Sequence, residues 1–413
     1  MKKLTGISTN KMLVILFIGI VIIPGCRKVD WFGHDDNSGP KPNNVNISTL
    51  AQLYDAVNNP ANAGKSIVLA PGTYTLDPTY ANAGRLELLE DMELQGQEGH
   101  PEMVIIDASL LPGSSFNPPL GIPSARTGAI RMGRGSNKIE WLTVIGNASS
   151  QALSVIDTDL AWAGGTSKVS VSHSIITGGR IGIDIRNVGA VNVGRVLEAE
   201  INDNEVKENL VQFGQGIEVQ NANGAKKAII RALFHGNNVH GNKIGMRSFN
   251  NSGNAGSVDS GSIIIQSYFD RFDENGVGIE LISGLNQGTV AITANHNFLQ
   301  FEAHNSSFKN NQGIIPPDVT DPSPGGIYLV GGFSVIGGDA SNNNLEVNLV
   351  NCPITGNQGP GIKAYGAFSS ISTPAGTNNA VKIKLEGISK QAVVETIPSL
   401  PLDAGGTNTV AVH

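Results

Sequence analysis

Short runs of alternating apolar and polar residues recur along most of the chain, each closed by a corner rich in Asn and Gly. The clearest copy is Ala228–Asn250, AIIRALFHGNNVHGNKIGMRSFN. It reads as an apolar run (Ile229, Ile230, Leu233), a polar corner, and a second alternating run opened by Gly245. The same phrase precedes it as LEAEINDNEVKENLVQFGQGIEVQN and follows it as GSIIIQSYFDRFDENGVGIELISG. Aligned on the glycine before the last run, copies fall at Gly182, Gly216, Gly245, Gly278, Gly326 and Gly361. The gaps are 34, 29, 33, 48 and 35 residues, the longest holding an insertion, Asn305–Pro324. A period of this size, made of strands and corners, predicts a solenoid.

Alternation over three to five residues, as in Ile183-Asp184-Ile185-Arg186, gives each run one buried and one solvated face. No copy buries its apolar face alone. Coils stacked roughly 4.8 Å apart pair every strand edge and share one core. Asn and Gly supply the left-handed backbone that sharp corners need. Stacked Asn side chains can also hydrogen-bond from coil to coil. Two positions past each register glycine, Asp184, Glu218, Arg247, Glu280, Tyr328 and Lys363 should face solvent. Four past come Arg186, Gln220, Phe249, Ile282, Val330 and Tyr365.

From about Val45 to the C-terminus these residues resemble the right-handed parallel β-helix proteins, the architecture of pectate lyases and related carbohydrate-active proteins. The resemblance implies an all-β, right-handed parallel β-helix (solenoid). A short N-terminal capping helix is expected in STLAQLYDAVNN, where Leu50, Leu53, Ala56 and Val57 keep helical spacing and Thr49 and Gln52 fit a capping box. Residues 45–413 read as one such domain. That fold hosts enzymes and inert binders alike, so it does not choose an activity.

Ahead of it, Lys2, Lys3 and Lys11 lead into an apolar stretch, Met12–Ile23, too short for the ~20 residues of a spanning helix. It ends Ile23-Pro24-Gly25-Cys26, which looks like the lipobox of bacterial lipoproteins. The resemblance implies that residues 1–25 are a signal peptide and that Cys26 is lipidated and anchors the chain in a membrane. Arg27 is not the Asp that favours inner-membrane retention, which points to the outer membrane or cell surface. Residues 26–44, rich in Gly, Pro, Asn and Asp, read as a flexible tether. Without residues 1–25, twenty-five bases face thirty-five acids, a net charge of −10. That balance argues against nucleic acid as a partner. Cys352 then has no cysteine partner but Cys26, and reads as a buried small hydrophobe.

Candidate chemistry is sparse. Asp157-Thr158-Asp159 echoes one motif of the polygalacturonases, but His235-Gly236 and His240-Gly241 lack the leading glycine of another. The Glu-x-Glu with a nearby Lys that the chondroitinase-B-like lyases use is absent from the coils, Glu198-Ala199-Glu200 lacking the Lys. If the chain is an enzyme, a polysaccharide lyase is favoured over a glycoside hydrolase. The best polar site gathers Asp157, Asp159, Asp184 and Arg186, with His173 one strand earlier; Asp184, Arg186 and His173 are the catalytic candidates. Asp184 beside Glu218 places like charges on adjacent rungs unless Arg186 leans over or a ligand intervenes. Asp157, Asp159, Asp184 and Glu218 would then hold a cation, calcium being the one implied. The same residues with Arg186 and Trp162 would line a saccharide site, Trp162 as a stacking platform. A solvated polar face accounts for the same residues. Three classes stay open: a polysaccharide-contacting surface protein, a metal-dependent polysaccharide lyase, and a structural or adhesive spacer. The oligomeric state is not readable.

Overall fold

Apolar residues at every second position, repeated once per coil, can be buried only by stacking coil on coil, and the computed structural model shows that stack. It describes residues 43–112, 127–149, 153–158, 165–211, 214–253, 256–288, 291–313, 325–335, 338–369, 376–388, 394–400 and 407–413. Among these the strands form sheets of twelve, ten and seven strands and one two-stranded pair. Neighbouring strands in a sheet come from successive coils and run parallel. The chain is a parallel β-solenoid.

Register keeps like residues above like. In the ten-stranded sheet Ile156, Ile183, Ile217, Met246, Ile279, Ile327 and Ile362 form one inward column. All are buried in the main core. The register glycines mark a close approach of coils. A Cβ on Gly216 would lie 2.6 Å from the Gly245 carbonyl oxygen, and one on Gly245 would lie 2.5 Å from that of Gly278. No side chain fits there.

The corners are asparagine ladders. Asn209 Nδ2 donates to Asn242 Oδ1 at 2.9 Å, and Asn242 Nδ2 to Asn275 Oδ1 at 3.1 Å. The Asn275 backbone N–H donates to Asn311 Oδ1 at 2.9 Å, and Asn311 Nδ2 to Asn357 Oδ1 at 3.0 Å. A second column runs Asn204, Asn237, Asp270, with Ser306 next. Most of these amides are buried, and each takes up donors and acceptors of the neighbouring coil.

The expected helix is Leu50–Asn58, packed on the first coils, with Leu53, Tyr54, Ala56 and Val57 buried. Thr49 Oγ1 accepts from the Gln52 N–H at 3.3 Å. The Gln52 side chain reaches back to the Ser48 N–H (2.9 Å), one residue earlier than a strict capping box. Tyr54, not foreseen as core, accepts from the Asp77 N–H and donates to the Gly84 carbonyl (2.8 Å), and burial pushes its phenol up to about 12. Cys352 is buried with Sγ 3.4 Å from the Ala303 carbonyl, and burial pushes its thiol up to about 11.

One expectation is corrected. Outward residues of the ten-stranded sheet, those of its edge strand Val394–Leu400 apart, are mostly not solvated. Asp157, Asp184 and Glu218 are 0% exposed, and Arg131, Arg186 and Lys363 no more than 8%. The twelve-stranded sheet behaves as expected, its strands alternating buried and half-buried residues, as in Val196–Asn202.

Candidate functional site

A charge on the outer side of a buried sheet must find a partner on its own rung or the next, because the low dielectric makes an unpaired ion costly. At one end of the ten-stranded sheet that condition is met. Arg131 and Asp157 lie on neighbouring rungs in register, and Nε and Nη2 of the guanidinium bind the two carboxylate oxygens, each at 3.1 Å. Arg186 Nη2 reaches Asp157 Oδ2 at 2.7 Å and its Nη1 reaches Asp184 Oδ2 at 3.2 Å. Ser154 Oγ donates to the same Asp184 oxygen at 3.1 Å. Gln220 Nε2 donates to Glu218 and lies 3.5 Å from Asp184 Oδ1. Glu87 closes the row, 3.7 Å from Arg131 and 3.4 Å from Arg134. Burial pulls the neighbouring Arg85 guanidinium below its ordinary value, with Asp157 acting in the opposite direction.

Past Glu218 the face changes character. Arg247 binds Glu280 at 3.1 Å and lies 4.9 Å from the Phe249 ring centre. Beyond them Ile244, Phe249, Val277, Ile282, Leu285, Tyr328, Val330, Phe333, Tyr365 and Phe368 form a second buried apolar cluster, separate from the main core.

Among the described residues, Gln215 and Tyr365 on this face carry side-chain polar groups without a hydrogen-bond partner. Gln215 is 0% exposed, yet neither its Oε1 nor its Nε2 makes a hydrogen bond; the Tyr365 hydroxyl, also on a 0% exposed residue, makes none either. Each such buried group costs about 1–3 kcal/mol.

The structure brings four of the expected residues together: Asp157, Asp184, Arg186 and Glu218. Arg186 does lean onto Asp184, which removes the like-charge conflict on that rung. The charges of Asp157 and Asp184 are met by guanidinium groups, and among the described residues no cluster has the three donors a metal ion needs. His173 does not join the site. It occupies a corner after the strand Thr166–Ser172 of the twelve-stranded sheet, stacked 4.1 Å on Trp141 and 3.9 Å from Asp203. Asp159, Trp162 and Cys26 lie outside the described residues. Sequence reading missed Arg131, whose coil carries no register glycine, although ARTGAIRM alternates. It also passed over Gln215, whose only signal was its place just before Gly216.

No family model matches the chain, and no curated protein does. Among solved structures it is similar to the mannuronan C-5 epimerase AlgE4 A-module of Azotobacter vinelandii, at 12% identity over 88% of this chain and 89% of that one, with a TM-score of 0.43. It is also similar to the catalytic domain of a GH87 alpha-1,3-glucanase, at 11% identity over 91% and 68%, with a TM-score of 0.37. A PL6 family alginate lyase, AlyGC, follows at 10% identity over 90% and 75%, with a TM-score of 0.20.

Proposed function

We propose that the outer face of the ten-stranded sheet is a binding surface for a polysaccharide. Gln215 carries the reading. Its carboxamide offers one acceptor and two N–H donors, all unused, on a face where the neighbouring charges are paired. A sugar hydroxyl both donates and accepts, so one pyranose edge satisfies such an amide. The ligand needs no charge of its own, since Arg131 and Arg186 are already engaged by carboxylates. Binding is favoured over metal-dependent elimination for the same reason: the carboxylates at Asp157 and Asp184 are committed to arginine. Because Gln215 is fully buried, a chain reaches it only when this face opens, and association should be slow. In the same proposal Cys26 is lipidated and holds the protein at the outer membrane or cell surface.

The test is a glycan array on the soluble chain from Cys26→Ser, followed by titration of the best ligand into wild type and Gln215→Leu. Selective loss of affinity in the variant, with melting equal to or above that of wild type, supports the site. Equal binding by both proteins refutes it. The same glycans assayed for unsaturated uronate absorbance would reveal a lyase. Absence of both binding and turnover would leave a spacer.

A further inference from the structure

Asn-Gly occurs twice in the sequence, at Asn223-Gly224 and Asn275-Gly276, and the fold treats the two pairs differently. We propose that Asn223 is a site of spontaneous covalent modification, deamidated through a cyclic imide to aspartate and isoaspartate. The asparagine ladder protects Asn275 from the same reaction.

The chemistry needs an unheld side-chain amide, an unheld N–H on the next residue, and water. Hydroxide takes the Gly224 amide proton and the nitrogen adds to Asn223 Cγ. The Cγ–Nδ2 bond breaks and Nδ2 leaves as ammonia, its third proton coming from water, which returns the hydroxide. Water then opens the imide at either carbonyl. Attack at Cγ leaves aspartate; attack at the Asn223 carbonyl carbon leaves isoaspartate, with the main chain running through Cγ. Nothing is oxidised or reduced.

Asn223 lies just past the strand Gln215–Ala222, at a half-buried corner. Among the described residues neither its carboxamide nor the Gly224 N–H makes a hydrogen bond. Gly224, at φ 100°, has no Cβ to crowd the attack. The corner is held by the Asn223 N–H, which donates to the Asn251 carbonyl of the next coil at 2.9 Å. At φ 51° the left-handed backbone turns the Gly224 nitrogen away from the Asn223 side chain. Attack therefore waits for a local rotation of the corner, which glycine eases.

Asn275 has none of that freedom. It is 1% exposed, and its Nδ2 donates to the Val239 and Asp273 carbonyls at 2.9 and 3.1 Å. Its Oδ1 accepts from the Asn242 backbone N–H at 3.0 Å and from Asn242 Nδ2 at 3.1 Å. The Gly276 N–H, the nucleophile of this pair, is bound to the Asn242 carbonyl at 2.9 Å. Freeing both groups means pulling a coil out of the ladder. At Asn223 the products change the corner itself. Either one adds a negative charge beside Lys226 and Lys227 in the sequence, and isoaspartate also lengthens the main chain where it is tied to Asn251.

The experiment holds the soluble full chain from Cys26→Ser at pH 8 in water enriched in heavy oxygen, native and in urea. Peptide mapping by mass spectrometry, with fragmentation that separates the two products, follows both pairs. In the native chain Asn223 should convert at least about tenfold faster than Asn275, with heavy oxygen in its products and isoaspartate among them. In urea the two pairs should convert at comparable rates, because sequence alone then acts. Native Asn223 staying intact while the unfolded chain converts, or native Asn275 keeping pace with Asn223, overturns the inference. Aspartate without isoaspartate overturns the imide route.

Discussion

Replacing Asp270 with asparagine should make the solenoid more stable at alkaline pH and leave it unchanged in acid. Asp270 occupies a column that asparagine fills on the two preceding coils. Asn204 donates to Asn237 at 3.0 Å, and Asn237 donates to Asp270 Oδ1 through both its backbone N–H and its Nδ2, each at 2.8 Å. Ser267 donates to the other oxygen at 2.6 Å. Those donors favour the ionised carboxylate, but burial outweighs them and pushes Asp270 up to about 7. The unfolded chain titrates near the ordinary carboxylate value of about 3.9. Between these values the folded state holds the proton more tightly. Stability is therefore greatest below about pH 4, falls as pH rises toward 7, and is flat above. Three pKa units correspond to about 4 kcal/mol, an upper bound for the cost of the charge at pH 8. Asp270→Asn keeps the acceptor for Asn237 and cannot ionise, while the Ser267 hydroxyl can turn to Ser306, 3.0 Å away. Urea unfolding of both proteins from pH 4 to 8 reads the difference. Curves that stay parallel, or a variant weaker at pH 8, would refute the claim that the ladder holds a destabilising charge.

Other perturbations test the rest of the account. Gly245→Ala puts a methyl 2.5 Å from the Gly278 oxygen and 2.8 Å from Asn275 Nδ2, and should destabilise by about 1–3 kcal/mol or more in thermal melts; a neutral result would mean the coils are not so close. Asp157→Asn leaves Arg131 and Arg186 buried without their shared carboxylate and should cost roughly 3–5 kcal/mol, whereas a loss under 1 kcal/mol would indicate a hydrated face. Cys352 should resist alkylation in the native protein at pH 8 and react on unfolding, as a buried thiol pushed up to about 11 requires; prompt native labelling would contradict its place in the core. Cys26→Ser should abolish partitioning of the full chain into a detergent phase, and unchanged partitioning would end the lipid-anchor proposal.

The repeat was legible because stacking forces like onto like. Gly216 and Gly245 recur in the sequence for the same reason a Cβ does not fit at either, and the Asn corners signal the ladders directly. The helix start was marked by Thr49 and Gln52. The covering of the outer face was not legible. Alternation says which side Asp184 takes, but nothing about what lies beyond it, and a covered strand alternates like an exposed one. Phe249, Ile282, Val330 and Tyr365 on the outward column were the available hint. His173 was grouped with Asp184 from proximity along the coil, but the strand Ile175–Thr177 and its flanking corners lie between it and the strand that carries Asp184. Gln215 could not have been singled out, since lack of a partner is a property of packing.

A crystal structure of the protein bound to a long oligosaccharide chosen by the array would test the central claim most directly. The account predicts a chain at the outer face of the ten-stranded sheet, with a hydroxyl on the Gln215 amide and the Arg131–Asp157–Arg186 pairs intact beside it. A chain bound instead along the half-exposed face of the twelve-stranded sheet, with Gln215 still without a partner, would contradict it.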